Sequence, residues 1–293
     1  MGTFDLSRRA LLEALALLGF SFSSFPGLSA QLTAEEQFTA VEKGIGGRLG
    51  VAAVDTRTGR RVSYRSSELF PMCSTFKFLL AACILHRVDG RVEHLLRPIP
   101  YTEKDLLEYA PVTTAHVQQG AMSVGELCAA SIEVSDNTAA NLLLTQIGGP
   151  IRLTEFIRTL GNEVTRLDRI EPELNSAVPG DPRDTTSAAA MLDSMEKLLT
   201  GNALSGQSRV QLTTWLKGST TGSKRLRAGM PANWRAGDKT GTGEHGAMGD
   251  VGIFWPPGKK PILMAVYLKE GQAAADMREQ AIASVGRVVT QVL

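Results

Sequence analysis

The sequence predicts an α/β protein of the α+β type: one antiparallel sheet built from both ends of the chain, with a helical region between them. Two observations carry this. Strand signals gather near the N-terminus and return after Trp234, while the stretch from about Ser67 to Leu216 is mostly helical in pattern. A third observation bounds the architecture. The 293 residues suffice for one large domain or for two subdomains with a shared core.

Residues 32–46 place Leu32, Phe38, Val41 and Ile45 near helical spacing. "RLGVAAVD" and "RVSYR" then read as two strands around the turn "TRTG". Helical runs follow, among them "FLLAACIL", "VGELCAASIEV", "AANLLLTQI" and "IRLTEFIRTL", with Gly, Pro, Asn and Asp in the separators. After Trp234, "WRAGDKTG", "GDVGIFW" and "PILMAVYL" read as strands, the last two joined by the hairpin loop "PPGKK". The closing "ADMREQAIASVGRVVTQVL" reads as a helix. Residues 31–66 and 217–293 are expected to form an α/β subdomain, and 67–216 an inserted helical one. A cleft between them is the default binding site. One long irregular stretch, 162–185, stands out; a loop of that length in a compact domain is usually functional.

Composition excludes several functions. Apolar residues are 43%, charged residues 21% and net charge +1, with no long basic run, so a nucleic-acid-binding face is not expected. No apolar stretch reaches the roughly 18 residues of a membrane span. His86, His94, His116 and His245 are scattered, and no cysteine pair has zinc-ligand spacing, so neither a metal nor another cofactor is expected. Cys73 and Cys83 lie ten apart on one expected helix, about 15 Å at 1.5 Å per residue, too far to bridge. For Cys83 and Cys128 a disulfide and two buried thiols both stay open. The N-terminal "LSRRALLEALALLGFSFSSF", followed by small residues near Ala30, has the layout of a bacterial export signal. Its Ser7-Arg8-Arg9 start resembles a twin-arginine signal; the alternative is an amphipathic helix carrying Glu13. Residues 1–30 are therefore expected to engage export machinery and to direct the chain to the periplasm.

Three short motifs bear chemistry. In "CSTFK", Ser74 and Lys77 stand at i and i+3 near a helix start, where free backbone N–H groups point outward. A buried lysine favours its neutral amine and can accept a serine proton. "SDN", Ser135-Asp136-Asn137, reads by itself as a helix cap. "KTG", Lys239-Thr240-Gly241, lies on an expected strand, where Gly241 would let a substrate approach the backbone. Each alone is weak. Together and in this order they are the motif set of penicillin-recognising serine enzymes.

The chain resembles that superfamily from about residue 32 to its end. "RIEPELN", Arg169 to Asn175, resembles the Ω-loop motif of class A β-lactamases within a loop spanning 165–184. The resemblance implies a β-lactamase/transpeptidase-like fold and hydrolysis of penicillins and cephalosporins, which confers resistance. It implies Ser74 as nucleophile and Lys77, or Glu171 through a water, as acylation base. Ser135 would pass a proton to the leaving nitrogen, and Glu171 would activate the deacylating water with Asn175 as its second anchor. The N–H groups of Ser74 and Thr242 would form the oxyanion hole. Asn137 would hold the substrate's side-chain amide and Tyr109 would form an aromatic wall. Lys239, Thr240 and Thr242 would meet the drug carboxylate. Many relatives add an arginine on the following strand; here that place is Met248, and Arg225, nine residues before Trp234, is the expected substitute. Arg169 and Asp184 match a loop-closing ion pair. Carbapenem-hydrolysing relatives that bridge the cysteine before the nucleophile need a second one where this chain has Gly243, so the bridge is absent. The family implies a monomer. Two other readings compete: a cell-wall DD-peptidase, which lacks the Glu-bearing loop, and a β-lactam sensor that stays acylated.

Overall fold

The computed structural model describes residues 32–293; the expected export signal lies outside the described residues. Residues Thr33–Leu293 form one compact unit. Helix α1 (Ala34–Ile45) opens with a capping box. The Thr33 hydroxyl accepts from the Glu36 N–H, and the Glu36 carboxylate accepts from the Thr33 N–H at 2.8 Å. Strands β1 (Arg48–Asp55) and β2 (Arg61–Tyr64) form the first hairpin. β2 stops one residue short of "RVSYR" because Arg65 turns into the left-handed region at φ 42°.

The short strand β3 (Phe70–Pro71) leads through a 3-10 turn, Cys73–Thr75, into α2 (Phe76–Asp89). The middle of the chain then supplies β4 (Pro98–Pro100), α3 (Pro111–His116), β5 (Ala121–Ser123), α4 (Val124–Glu133), α5 (Asn137–Ile147) and α6 (Pro150–Thr159). β6 (Thr185–Thr186), α7 (Ala188–Met195) and α8 (Gly206–Gly218) follow the long loop. β7 (Arg235–Thr242), β8 (Met248–Trp255), β9 (Ile262–Lys269) and α9 (Ala275–Val292) complete the fold.

The main sheet is antiparallel, in the order β2-β1-β9-β8-β7, so the first and last strands of the sequence meet at its centre. Strands β1, β8 and β9 are buried along almost their whole length because both sheet faces are covered there. Val51, Ala53, Met264 and Val266 pack against Phe38 of α1 and Ile282 and Val285 of α9. Ala52, Val54, Leu263 and Ala265 join the core of the helical region. The axis of that region is α2, whose residues Phe76 to Leu85 are all buried. A helix apolar all round belongs inside a core, and its N-terminus opens at the edge strand β7.

That approach requires Gly241. A Cβ there would lie 2.6 Å from the Met72 carbonyl oxygen and 3.2 Å from the Ser74 nitrogen. The turn carrying Ser74 packs against one side of Gly241, and Gly241 also lines the cleft. A second device ties the long loop to the same turn. β3 pairs with β6, and the Met72 N–H donates to the Asp184 carbonyl at 2.9 Å.

Cys73, Cys83 and Cys128 are all free and buried, which resolves the open question for Cys83 and Cys128. Burial pushes the Cys73 and Cys83 thiols up to about 12 and that of Cys128 higher still. At pH 8 all three stay protonated and shielded. Native protein should therefore give no thiol signal with Ellman's reagent at pH 8, and unfolding in guanidinium should release three equivalents. Release of one equivalent would mean that a disulfide forms.

Candidate active site

The 3-10 turn before α2 places Ser74 in a cleft of about 290 Å³. The cleft is lined by Ser74, Tyr109, Ser135, Asn137, Asn175, Thr221, Arg225, Thr240, Gly241 and Thr242. Lys77, Glu171 and Lys239 stand behind that lining, each 1% exposed or less. The structure thus gathers the residues singled out in the sequence from six segments of the chain.

Lys77 is the hub. Its Nζ lies 3.0 Å from Ser74 Oγ, 2.8 Å from the Ser135 carbonyl, 3.3 Å from Ser135 Oγ, 2.6 Å from Asn137 Oδ1 and 2.9 Å from Glu171 Oε1. Five acceptors surround an ammonium that has three N–H donors, so its bonds are shared. Burial pushes its amine below the ordinary lysine range, and the Glu171 carboxylate opposes that shift.

The "SDN" segment serves as a cap and as part of the site. Asp136, with no exposed surface, caps α5 through the Ala139 N–H at 2.9 Å. The same carboxylate accepts from the N–H groups of Val112 and Thr113 at 3.0 and 2.9 Å and from the Thr113 hydroxyl at 3.0 Å. Anchored this way, the chain holds Ser135 at φ 62°, a left-handed geometry costly for a non-glycine residue. The reward is position: Ser135 Oγ lies 3.3 Å from Lys77 Nζ and 3.0 Å from Lys239 Nζ. Burial, and then the Lys77 charge, push the Lys239 amine well down.

Glu171 arrives from the long loop. Its Oε1 accepts from the Ser74 hydroxyl at 3.2 Å, and its Oε2 accepts from Asn175 Nδ2 at 2.5 Å. Asn141 on α5, absent from the sequence reading, clamps the Glu171 backbone. It donates to the Glu171 carbonyl at 2.9 Å and accepts from its N–H at 3.0 Å. The signal was available, because Asn141 stands at i+4 from Asn137 on one helix face. The loop is closed by Arg169, whose Nε lies 2.5 Å from Asp184 Oδ2, while Asp184 Oδ1 accepts the Asp168 and Arg169 N–H groups. The Glu244 N–H, in the β7–β8 turn, holds the Asn175 carbonyl at 2.9 Å.

Arg225 is buried at 5% exposure, so it is no surface arginine. Its Nη1 donates to the Gly241 and Gly249 carbonyls at 2.8 and 3.0 Å, and its Nη2 to Thr242 Oγ1 at 2.7 Å. Glu279, also unforeseen, faces its Nε at 3.6 Å. Desolvation by burial lowers the Arg225 pKa, and nearby carboxylates counter this. Tyr109 is half exposed on the cleft wall, its hydroxyl donating to the Val134 carbonyl at 3.1 Å. Gly243 packs on Cys73; a Cβ there would come within 2.6 Å of its sulfur. Among the described residues, no group of three or more His, Cys, Asp or Glu side chains could hold a metal ion.

Replacing Arg169 leaves the buried Asp184 carboxylate without its cation. Arg169→Ala should lower stability by about 3 kcal/mol in urea denaturation. An unchanged midpoint would show that the loop closes without this pair.

The comparisons with known proteins agree with this geometry. Residues 33–293 match the model of the "Beta-lactamase enzyme family". β-Lactamase Toho-1 of Escherichia coli is 42% identical over 283 residues, covering 97% of each chain. The carbapenem-hydrolyzing β-lactamase KPC of Klebsiella oxytoca is 44% identical over 287 residues, covering 97% of this chain and 96% of that one. Among solved structures, an ancestral class A β-lactamase superposes with a TM-score of 0.87 at 58% identity, covering 89% of this chain and all of that one. A cleft serine backed by a buried lysine and glutamate at the foot of a core helix, this sheet order and these matches together make the chain a member of the β-lactamase enzyme family, a class A serine β-lactamase.

Proposed function

We propose that the enzyme hydrolyses penicillins and cephalosporins through an acyl-enzyme on Ser74, with Glu171 serving the second half of the cycle. The observation that carries this reading is that one hydroxyl, Ser74 Oγ, lies within hydrogen-bonding distance of both Lys77 Nζ and Glu171 Oε1. In the first half, Ser74 Oγ attacks the lactam carbonyl carbon and loses its proton to Lys77 or toward Glu171. Both groups lie within reach of that hydroxyl, Lys77 Nζ at 3.0 Å and Glu171 Oε1 at 3.2 Å, and they face each other at 2.9 Å. The oxygen that gains charge is held by the Ser74 and Thr242 N–H groups; losing one such donor typically costs about 100- to 1000-fold in rate. The C–N bond then breaks, and Ser135 gives its proton to the departing nitrogen while taking one from Lys77. Asn137 holds the side-chain amide of the substrate, Tyr109 walls the cleft, and Lys239, Thr240 and Thr242 receive the carboxylate.

In the second half, Glu171 takes a proton from a water that Asn175 helps to anchor. The water oxygen attacks the ester carbonyl, the ester C–O bond to Ser74 breaks, and the departing Ser74 oxygen takes back the proton that Glu171 removed from the water. A glutamate held by Asn141 and Asn175, in a loop closed by Arg169 and Asp184, favours turnover over the persistent adduct of a sensor or the transfer of a peptidase. Residues 1–30 would export the protein to the periplasm, where a monomer meets incoming drug.

The test is intact mass of the protein mixed with benzylpenicillin, with free product followed in parallel. The parent should return to its unmodified mass after many turnovers. Glu171→Ala should accumulate a Ser74 adduct, with deacylation slowed by about 100- to 10,000-fold. Parent-like turnover by that variant would refute the role given to Glu171.

A further inference from the structure

Thr221, Thr240 and Thr242 all line the cleft, and the mechanism above leaves Thr221 without a task. Thr240 and Thr242 stand two apart on β7, so they project from one face of the strand. A hydroxyl has one proton to give, so the groups that fill its lone pairs decide where that proton points. For Thr242 the case is settled by Arg225. A guanidinium only donates, and its Nη2 lies 2.7 Å from Thr242 Oγ1, so the Thr242 proton is directed elsewhere.

Thr240 has a matching neighbour. Thr221 Oγ1 lies 2.6 Å from Thr240 Oγ1, and either oxygen can be the donor. Among the described residues, the only other side-chain hydrogen-bond partner of the Thr221 hydroxyl is Ser219 Oγ at 3.5 Å, a long contact. The segment around Thr221 is fixed on both sides. The Thr220 N–H donates to the Glu133 carbonyl at 2.9 Å. Gly222 is pressed so closely on Asp238 that a Cβ would fall 1.5 Å from its Oδ2. The short contact between the threonines is therefore built into the fold.

We infer that Thr221 is a positioning residue for the substrate carboxylate. It donates to Thr240 as Arg225 donates to Thr242, and the protons of both β7 threonines then face the cleft as two O–H donors for one anionic group. An anion selects this direction of the chain, because a donor whose own oxygen accepts a bond is polarised and donates more strongly. This inference rests on the proposal that Lys239, Thr240 and Thr242 receive a carboxylate.

The experiment is steady-state kinetics of the parent, Thr221→Val and Thr221→Ser on benzylpenicillin and on its methyl ester, which lacks the anion. Thr221→Val should raise KM for the free acid by about fivefold, the worth of one modest hydrogen bond, and leave kcat nearly unchanged. It should leave the ester's parameters unaltered, and Thr221→Ser should restore the KM for the acid. Equal losses on acid and ester, or no rescue by serine, would reduce Thr221 to a packing residue and overturn the inference. A parent enzyme that does not prefer the acid over the ester would instead overturn the carboxylate reading on which it rests.

Discussion

Burying the amine of Lys77 at the head of an apolar helix is the constraint around which this active site is organised. An ammonium with no exposed surface must have partners or give up its charge. The chain supplies five acceptors from Ser74, the Ser135 carbonyl and hydroxyl, Asn137 and Glu171. Satisfying that one group draws together the helix start, the "SDN" segment and the long loop. Three of these partners, Ser74, Ser135 and Glu171, are the groups to which the proposed mechanism gives proton transfers, so burial and the proposed chemistry draw on overlapping contacts. Lys239 repeats the theme on the sheet side, with Ser135 Oγ between the two amines.

The loop bearing Glu171 illustrates how irregular backbone is made stiff. It has one 3-10 turn, Glu173–Asn175, and little other regular structure. Its rigidity comes from side chains. Arg169 and Asp184 close its base and Asn141 grips the peptide groups at Glu171, and the backbone N–H of Glu244 in the β7–β8 turn adds a hold on the Asn175 carbonyl. The β3–β6 ribbon then couples the loop's end to the turn carrying Ser74, so nucleophile and carboxylate share one anchorage. A carboxylate that must hold a water against an ester gains from such preorganisation.

On the opposite flank, the edge strand β7 meets the nucleophile turn because Gly241 has no side chain. Arg225 reaches β7 from a separate segment. Two of its hydrogen bonds go to backbone carbonyls of β7 and β8 and one to the Thr242 hydroxyl. It braces the strand and orients a side chain at once, which an arginine rooted on β8 at Met248 would do from another direction. Thr221 gives Thr240 a comparable neighbour, so both cleft-facing threonines of β7 have a hydrogen-bond partner from outside the strand.

The sequence alone determined the main sheet strands, the long helices and the chemistry-bearing motifs, while the short strands β3 to β6 emerged only in the fold. The strands of the main sheet, the buried α2 run and the terminal helices were readable, because period and apolar continuity are local properties that burial on both sheet faces then satisfies. Ser74 with Lys77, and Asp136 as a cap, were readable for the same reason: they act within a few residues of each other. What spans the chain was left to tertiary structure. Glu171 lies 97 positions from Ser74, and only folding brings its oxygen to 3.2 Å. Asn141, Thr221 and Glu279 carry no motif, since their roles consist of partners from distant segments. That Gly241 is also needed for the Ser74 turn to pack on β7 was not legible, because spacing along a chain does not say which backbone will pack against a strand. Local pattern specifies what a segment can be; close packing of segments far apart in sequence decides what each side chain touches.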